Sequence, residues 1–129
     1  MSHAVAVNLK IPDNAAYTTL VTLRRLGIDL ARVERAQIVR DPNAPSAQAL
    51  AAQVERDESL YNPNKHRVTA LESDAPRDGE VWIVQDDENR PVAWRLYSTP
   101  GAPANCEILV QAAGRLLCNP AIERAVFPE

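Results

Sequence analysis

The sequence predicts an α+β fold: an antiparallel sheet with its helices on one face, built on the βαββαβ split unit. Three observations lead there. Residues 3–11 alternate strictly, with Val5, Val7, Leu9 and Ile11 facing one way and Ala4, Ala6, Asn8 and Lys10 the other. That is a strand with one covered face. Val81–Val84 and Val92–Tyr97 flank the turn Asp86–Pro91, a hairpin pattern. Finally, a helix, an Asn-Pro stop and a strand occur twice. Leu60-Tyr-Asn62-Pro63 is followed by residues 66–71, and Leu117-Cys-Asn119-Pro120 by residues 122–127.

Taken in order, Pro12 ends the first strand, and Asp13 or Asn14 can cap the helix that follows. Ala16, Leu20 and Leu23 form its buried face, with Tyr17 beside them. Arg24 and Arg25 sit in its last turn, where positive charge meets the negative end of the helix dipole. Gly27 takes the left-handed capping position and lets Ile28 fold back on Leu23. Residues 31–40 form a second strand whose alternation slips between Val33 and Ala36, which reads as a bulge. Ser46 caps a second helix over 47–60, and residues 66–72 form a third strand. The polar stretch Ser73–Gly79 is a linker. In the hairpin beyond it, Trp82 and Trp94 are expected to pair across the strands. The Pro/Gly loop Thr99–Pro103 leads into the last helix. There Ile108, Leu109, Ala112, Ala113, Leu116 and Leu117 make one apolar stripe, and Asn119-Pro120 stops it.

Composition excludes several classes. Residues 1–73 carry nine Lys/Arg against eight Asp/Glu and residues 74–129 five against nine, so neither half is a basic footprint for nucleic acid. No apolar run approaches the ~20 residues of a membrane helix, and the N-terminal residues lack the pattern of a signal peptide. A cytoplasmic location is expected. Cys106 and Cys118 fall in one predicted helix, twelve residues and so ~18 Å apart, too far to pair. They read as free thiols in a reducing compartment. His3 and His66 do not make a metal cluster with them, and the glycines at 27, 79, 101 and 114 form no phosphate loop. No cofactor, metal or catalytic residue is expected. Asp86, Asp87 and Glu88, the one dense acidic cluster, read as solvated turn residues.

Three short motifs stand out: Val5-Ala-Val-Asn-Leu-Lys10, Leu23-Arg-Arg-Leu-Gly27 before a strand at Val33, and Leu116-Leu-Cys-Asn-Pro-Ala-Ile-Glu123. Together they resemble PurS, the small subunit of the bacterial phosphoribosylformylglycinamidine synthase of purine synthesis. The resemblance implies a ferredoxin-like fold, either in about one and a half units or, in a simpler overlay, as one unit over residues 1–40 and 92–127 with an insertion between. Duplication is the preferred reading because the Asn-Pro stop recurs with a strand after it. Residues 1–73 make one unit with a reduced third strand, and residues 79–129 a partial unit of hairpin, helix and strand, packed together as one compact domain. It also implies a non-catalytic subunit bridging a glutaminase and a synthetase, as a homo-oligomer or internal pseudo-dimer. The Gly-Lys turn usual in that family is missing. Residues Lys10–Ala15 and Leu26–Leu30 also resemble ACT ligand-sensing domains, although Asn14-Ala15 stands where those domains carry Gly.

Two contact surfaces follow. One is the outer edge of strand 31–40, which the 81–97 hairpin or another protomer is expected to fill. The other comprises the turns Asn62-Pro63 and Asn119-Pro120, with Arg24 and Arg25 as further candidates.

Overall fold

The structure, a computed structural model, describes residues 3–85 and 90–128. The acidic cluster Asp86, Asp87 and Glu88 lies outside them. No helix among the described residues is long and apolar enough to cross a membrane.

The elements run β1 (His3–Leu9), α1 (Asn14–Arg25), β2 (Arg32–Asp41), α2 (Ala47–Glu55), β3 (His66–Ala70), β4 (Glu80–Gln85), β5 (Val92–Thr99), β6 (Ala102–Pro103), α3 (Cys106–Ala112) and β7 (Glu123–Val126). The strands form one antiparallel sheet in the order β3-β1-β2-β5-β4-β7, with β6 paired to β5. The α+β antiparallel architecture expected from the sequence is therefore present. β5 fills the outer edge of β2, with Val33 opposite Leu96 and Ala36 opposite Ala93.

The chain path has a repeat in it. β1 pairs with β2, and α2 then crosses to place β3 on the far side of β1. Likewise β4 pairs with β5, and α3 crosses to place β7 on the far side of β4. The two strand–strand–helix–strand halves meet where β2 pairs with β5. They differ in their first connection, which is α1 in the first half and a short hairpin link in the second.

Local chemistry sets the helix limits. Asp13 caps α1, Ser46 caps α2 and Asn105 caps α3, each side chain accepting from free first-turn N–H groups. Gly27, at φ +88°, ends α1, and Ile28 N–H bonds back to the Leu23 carbonyl at 3.0 Å. α2 stops at Glu55, short of the predicted residue 60. The Asp57 carboxylate accepts from the backbone and hydroxyl of Ser59, and that local turn competes with the helix.

All three helices pack on one face of the sheet. Leu23, Ile28 and Leu30 lie with Val33 and Leu96, and Leu109 and Ala112 join the same cluster. Leu50 and Val54 cover Val5 and Val7. Each such buried aliphatic side chain contributes roughly 1.5–3 kcal/mol.

Three expectations are corrected. Trp82 sits opposite Ala93 and Trp94 opposite Val81, so the two rings occupy opposite faces and do not pair. β2 has no bulge: its ladders to β1 and β5 are continuous, and the register shift lies in β5 between Tyr97 and Thr99. The last helix is not one α-helix to Cys118. After Ala112 it widens into a π-helical turn, Ala113–Leu117, with Cys118 N–H bonded to the Ala113 carbonyl at 3.0 Å. The extra residue per turn rotates the stripe. Leu117 stays packed inward, while Leu116 is 41% exposed.

Candidate functional site

The slip in β2's alternation has a different cause, and it marks a cleft. Val33, Arg35, Gln37 and Val39 point to the helical face. Val33 lies under α1, and Val39 packs with the α2 cluster. Arg35 and Gln37 fall between, where they line a cavity of about 260 Å³ with Val7, Leu9, Leu60 and His66. A second cavity, about 230 Å³, shares Arg35 and Val92 with the first and is walled by Ile83, Leu117 and Glu123. Asp13 reaches Arg35 Nε at 3.4 Å, which ties the start of α1 to the cleft.

The two Asn-Pro turns border these cavities and are built alike. The Asn62 carbonyl accepts from the N–H groups of Lys65 (2.9 Å) and His66 (2.8 Å), and its side-chain oxygen from Asn64 N–H (2.9 Å). The Asn119 carbonyl accepts from Ile122 (3.1 Å) and Glu123 (2.8 Å), and its side chain from Ala121 N–H (3.1 Å). In each turn the Asn N–H is held from four residues on, by His66 Nδ1 at 2.9 Å or by Glu123 Oε1 at 2.8 Å. Pro63 and Pro120 follow with fixed φ, as such turns favour. Leu60, Asn62 and His66 correspond to Leu117, Asn119 and Glu123 at one spacing of 57 residues. Both asparagine side chains are thus committed to turning a helix exit into the last strand of its half, while both proline rings are exposed.

Arg24 and Arg25 are not brought to this cleft. They lie at the far end of α1, ~18 Å from Asp13 at ~1.5 Å per residue. Arg24 Nε donates to the Leu30 carbonyl at 2.9 Å, and Arg25 is exposed. The turn that resembles an ACT site has both its Ala15 and Ala16 N–H groups taken by Asp13. Burial and then the Glu123 charge push the Cys118 thiol up, away from the thiolate form a nucleophile needs. Cys106 is the exposed first residue of α3, and both cysteines are free. No group of three or more His, Cys, Asp or Glu among the described residues is placed to hold a metal. With apolar walls around the guanidinium groups of Arg35 and Arg90, the His66 imidazole and the carboxylates of Asp13 and Glu123, the cleft is equipped for recognition.

The opposite face carries a network that the sequence reading missed. Glu80 is 1% exposed. Its carboxylate accepts from Arg77 N–H at 3.0 Å, Arg77 Nη2 at 2.8 Å and Trp82 Nε1 at 3.0 Å. Burial is the largest single influence on this carboxyl and pushes it up. The bonds and charge of Arg77, with the Trp82 bond, outweigh burial and hold it below the usual glutamate range. Trp82 lies over Ala4, Ala6, Ile38 and Ala93. The Arg40 guanidinium stands 5.8 Å from the Trp82 ring centroid and grips Asp74 through two bonds of 2.7 Å. These contacts fasten the 71–79 segment across the open face. The available signal was the period of Glu80, Trp82 and Val84, which share one side of β4.

No family model, curated protein or solved structure matches the chain.

Proposed function

We propose that this protein is a PurS-like accessory subunit, without catalytic residues of its own, that acts in the cytoplasm through protein contacts. It bridges the glutaminase and synthetase subunits of a glutamine-dependent phosphoribosylformylglycinamidine synthase. The observation that carries this reading is the meeting of two strand–strand–helix–strand halves through β2 and β5. In finer terms the fold is ferredoxin-like, with the two halves standing as copies of one unit and α1 inserted in the first. Such a chain holds within itself the pairing that separate subunits would make, an internal pseudo-dimer. The cleft between the two matched Asn-Pro turns presents both halves to one partner surface.

The test is affinity capture of the tagged full chain from its own cell lysate, with and without glutamine and ATP. The expected result is joint recovery of a glutaminase and an ATP-dependent synthetase. Recovery of neither, with the chain running as a clean monomer or homodimer, would overturn the proposal.

A further inference from the structure

The face of the sheet away from the helices holds a cavity of about 190 Å³. Its floor is Ala36 and Ala93, directly opposite each other on β2 and β5. Longer side chains surround this low floor. Arg67 and Thr69 stand on β3 at one flank, and Arg95 on β5 at the other. Arg67 and Arg95 stem from strands three spacings of ~4.8 Å apart, a span two arginine side chains can lean across. Arg77 closes the cavity from the connecting segment, and Asn8 adds an amide beside the floor.

The charges of this cavity do not balance. Glu80 is bound to Arg77 and Trp82. Glu34 is 3.7 Å from Arg32. Both carboxylates are therefore engaged. Arg67 and Arg95 make no ion pair with any described residue. Arg95 is nevertheless held in place: its guanidinium lies 5.5 Å from the Tyr97 ring centroid, and its Nε donates to the Asp78 carbonyl at 3.4 Å. That leaves its terminal nitrogens uncommitted. Arg95 stands in register between Glu34 and Glu80, yet neither carboxylate is within ion-pair distance of it. Two guanidinium groups without an ion-pair partner, facing one polar cavity, favour a bound anion, because each fork matches a pair of oxygens on carboxylate or phosphate.

We infer that this cavity binds the phosphate group of a small phosphorylated metabolite. A phosphate monoester carries about −1.5 to −2 at neutral pH, which matches the two unpaired arginines. Its third oxygen has the Thr69 hydroxyl and the Asn8 amide within the same walls. The cavity is smaller than the ~300–1,000 Å³ of a drug-sized site, so it takes the phosphate and little more. The rest of the metabolite extends into an adjoining cavity of about 710 Å³ that shares Thr69, Arg77 and Arg95 and runs beside the 71–79 segment. This inference stands on the arginine geometry alone, so it survives or fails separately from the accessory-subunit reading.

The experiment is calorimetric titration of the full chain with glycerol 3-phosphate, with succinate and sodium chloride at matched ionic strength as comparison arms. Saturable binding of glycerol 3-phosphate is expected, with weaker binding of succinate and none of chloride. Arg67→Gln and Arg95→Gln should each weaken it at least about tenfold, the scale of one bond to a charged group. Arg56→Gln, at the exposed end of α2, should leave it unchanged. Circular dichroism checks folding, and Arg67, exposed on an edge strand, is the variant safest to fold. Equal heats from chloride and glycerol 3-phosphate would overturn the inference. So would succinate binding as tightly as the phosphate ester, or a folded Arg67→Gln chain that binds like wild type.

Discussion

Replacing Glu80 with glutamine changes one buried oxygen and little else. Glutamine keeps the shape and can keep the Oε1 position, which serves Trp82 Nε1 and Arg77 N–H. It puts an NH2 group where Oε2 accepts from Arg77 Nη2 at 2.8 Å, so two donors then face each other. A bond to a charged group contributes ~1.5–3 kcal/mol, and breaking a fully buried ion pair costs ~3–5 kcal/mol. The Arg77 side chain is 33% exposed and can turn to water, which lowers the penalty. The expected loss is about 2 kcal/mol, a fall in Tm of roughly 6–8 °C for a chain of this size. Differential scanning calorimetry from pH 7 down to pH 3 measures it. The folded chain holds Glu80 below its ordinary value, so the unfolded chain takes up the proton first. The stabilisation is whole above the usual glutamate value of ~4.3 and fades as the pH falls through the lowered one. The gap between wild type and Glu80→Gln should therefore be full at pH 7 and narrow below pH ~4. A gap under ~0.5 kcal/mol at pH 7, or one that stays constant down to pH 3, would refute this account of Glu80.

Other substitutions probe the rest of the frame. Gly79→Ala should cost at least ~2 kcal/mol in chemical denaturation, because φ is +74° and a Cβ would stand 2.8 Å from the Leu96 carbonyl and 2.6 Å from Pro103 Cβ. Asp74→Ala should cost only about 1 kcal/mol, since Arg40 is 35% exposed, yet it frees the 71–79 segment. Limited trypsin digestion should then cut after Arg77 sooner than in wild type. Asn62→Ala and Asn119→Ala should each lose about 1 kcal/mol, and the double variant should lose their sum within ~0.5 kcal/mol. Effects that differ by more than about 1 kcal/mol between the two sites would contradict their equivalence.

Local signals in the sequence carried far. Asp13, Ser46 and Gly27 act within a few residues of themselves, so the order and type of the main elements could be read directly. Relations set by tertiary pairing could not. Whether Trp82 and Trp94 share a face depends on a register in which Trp82 meets Ala93, and one residue of slip reverses the answer. The slip at Val33–Ala36 was visible, but only the packing of α1 and α2 shows that Arg35 and Gln37 are polar because no helix covers them. The repeated Asn-Pro stop was legible as a motif, and its hydrogen bonds add a match that sequence alone cannot supply. Glu80 stayed hidden because its partner Arg77 lies in a stretch that reads as a linker.

The proposed accessory role is tested most directly by reconstitution. Purified chain is added to the glutaminase and synthetase subunits recovered from the same cells, and formation of the amidated ribonucleotide is followed with glutamine or with ammonia as the nitrogen source. The account predicts that the chain raises the glutamine-supported rate and co-sediments with both subunits, while the ammonia-supported rate stays unchanged. An unchanged glutamine-supported rate, with the chain sedimenting apart from both subunits, would contradict it.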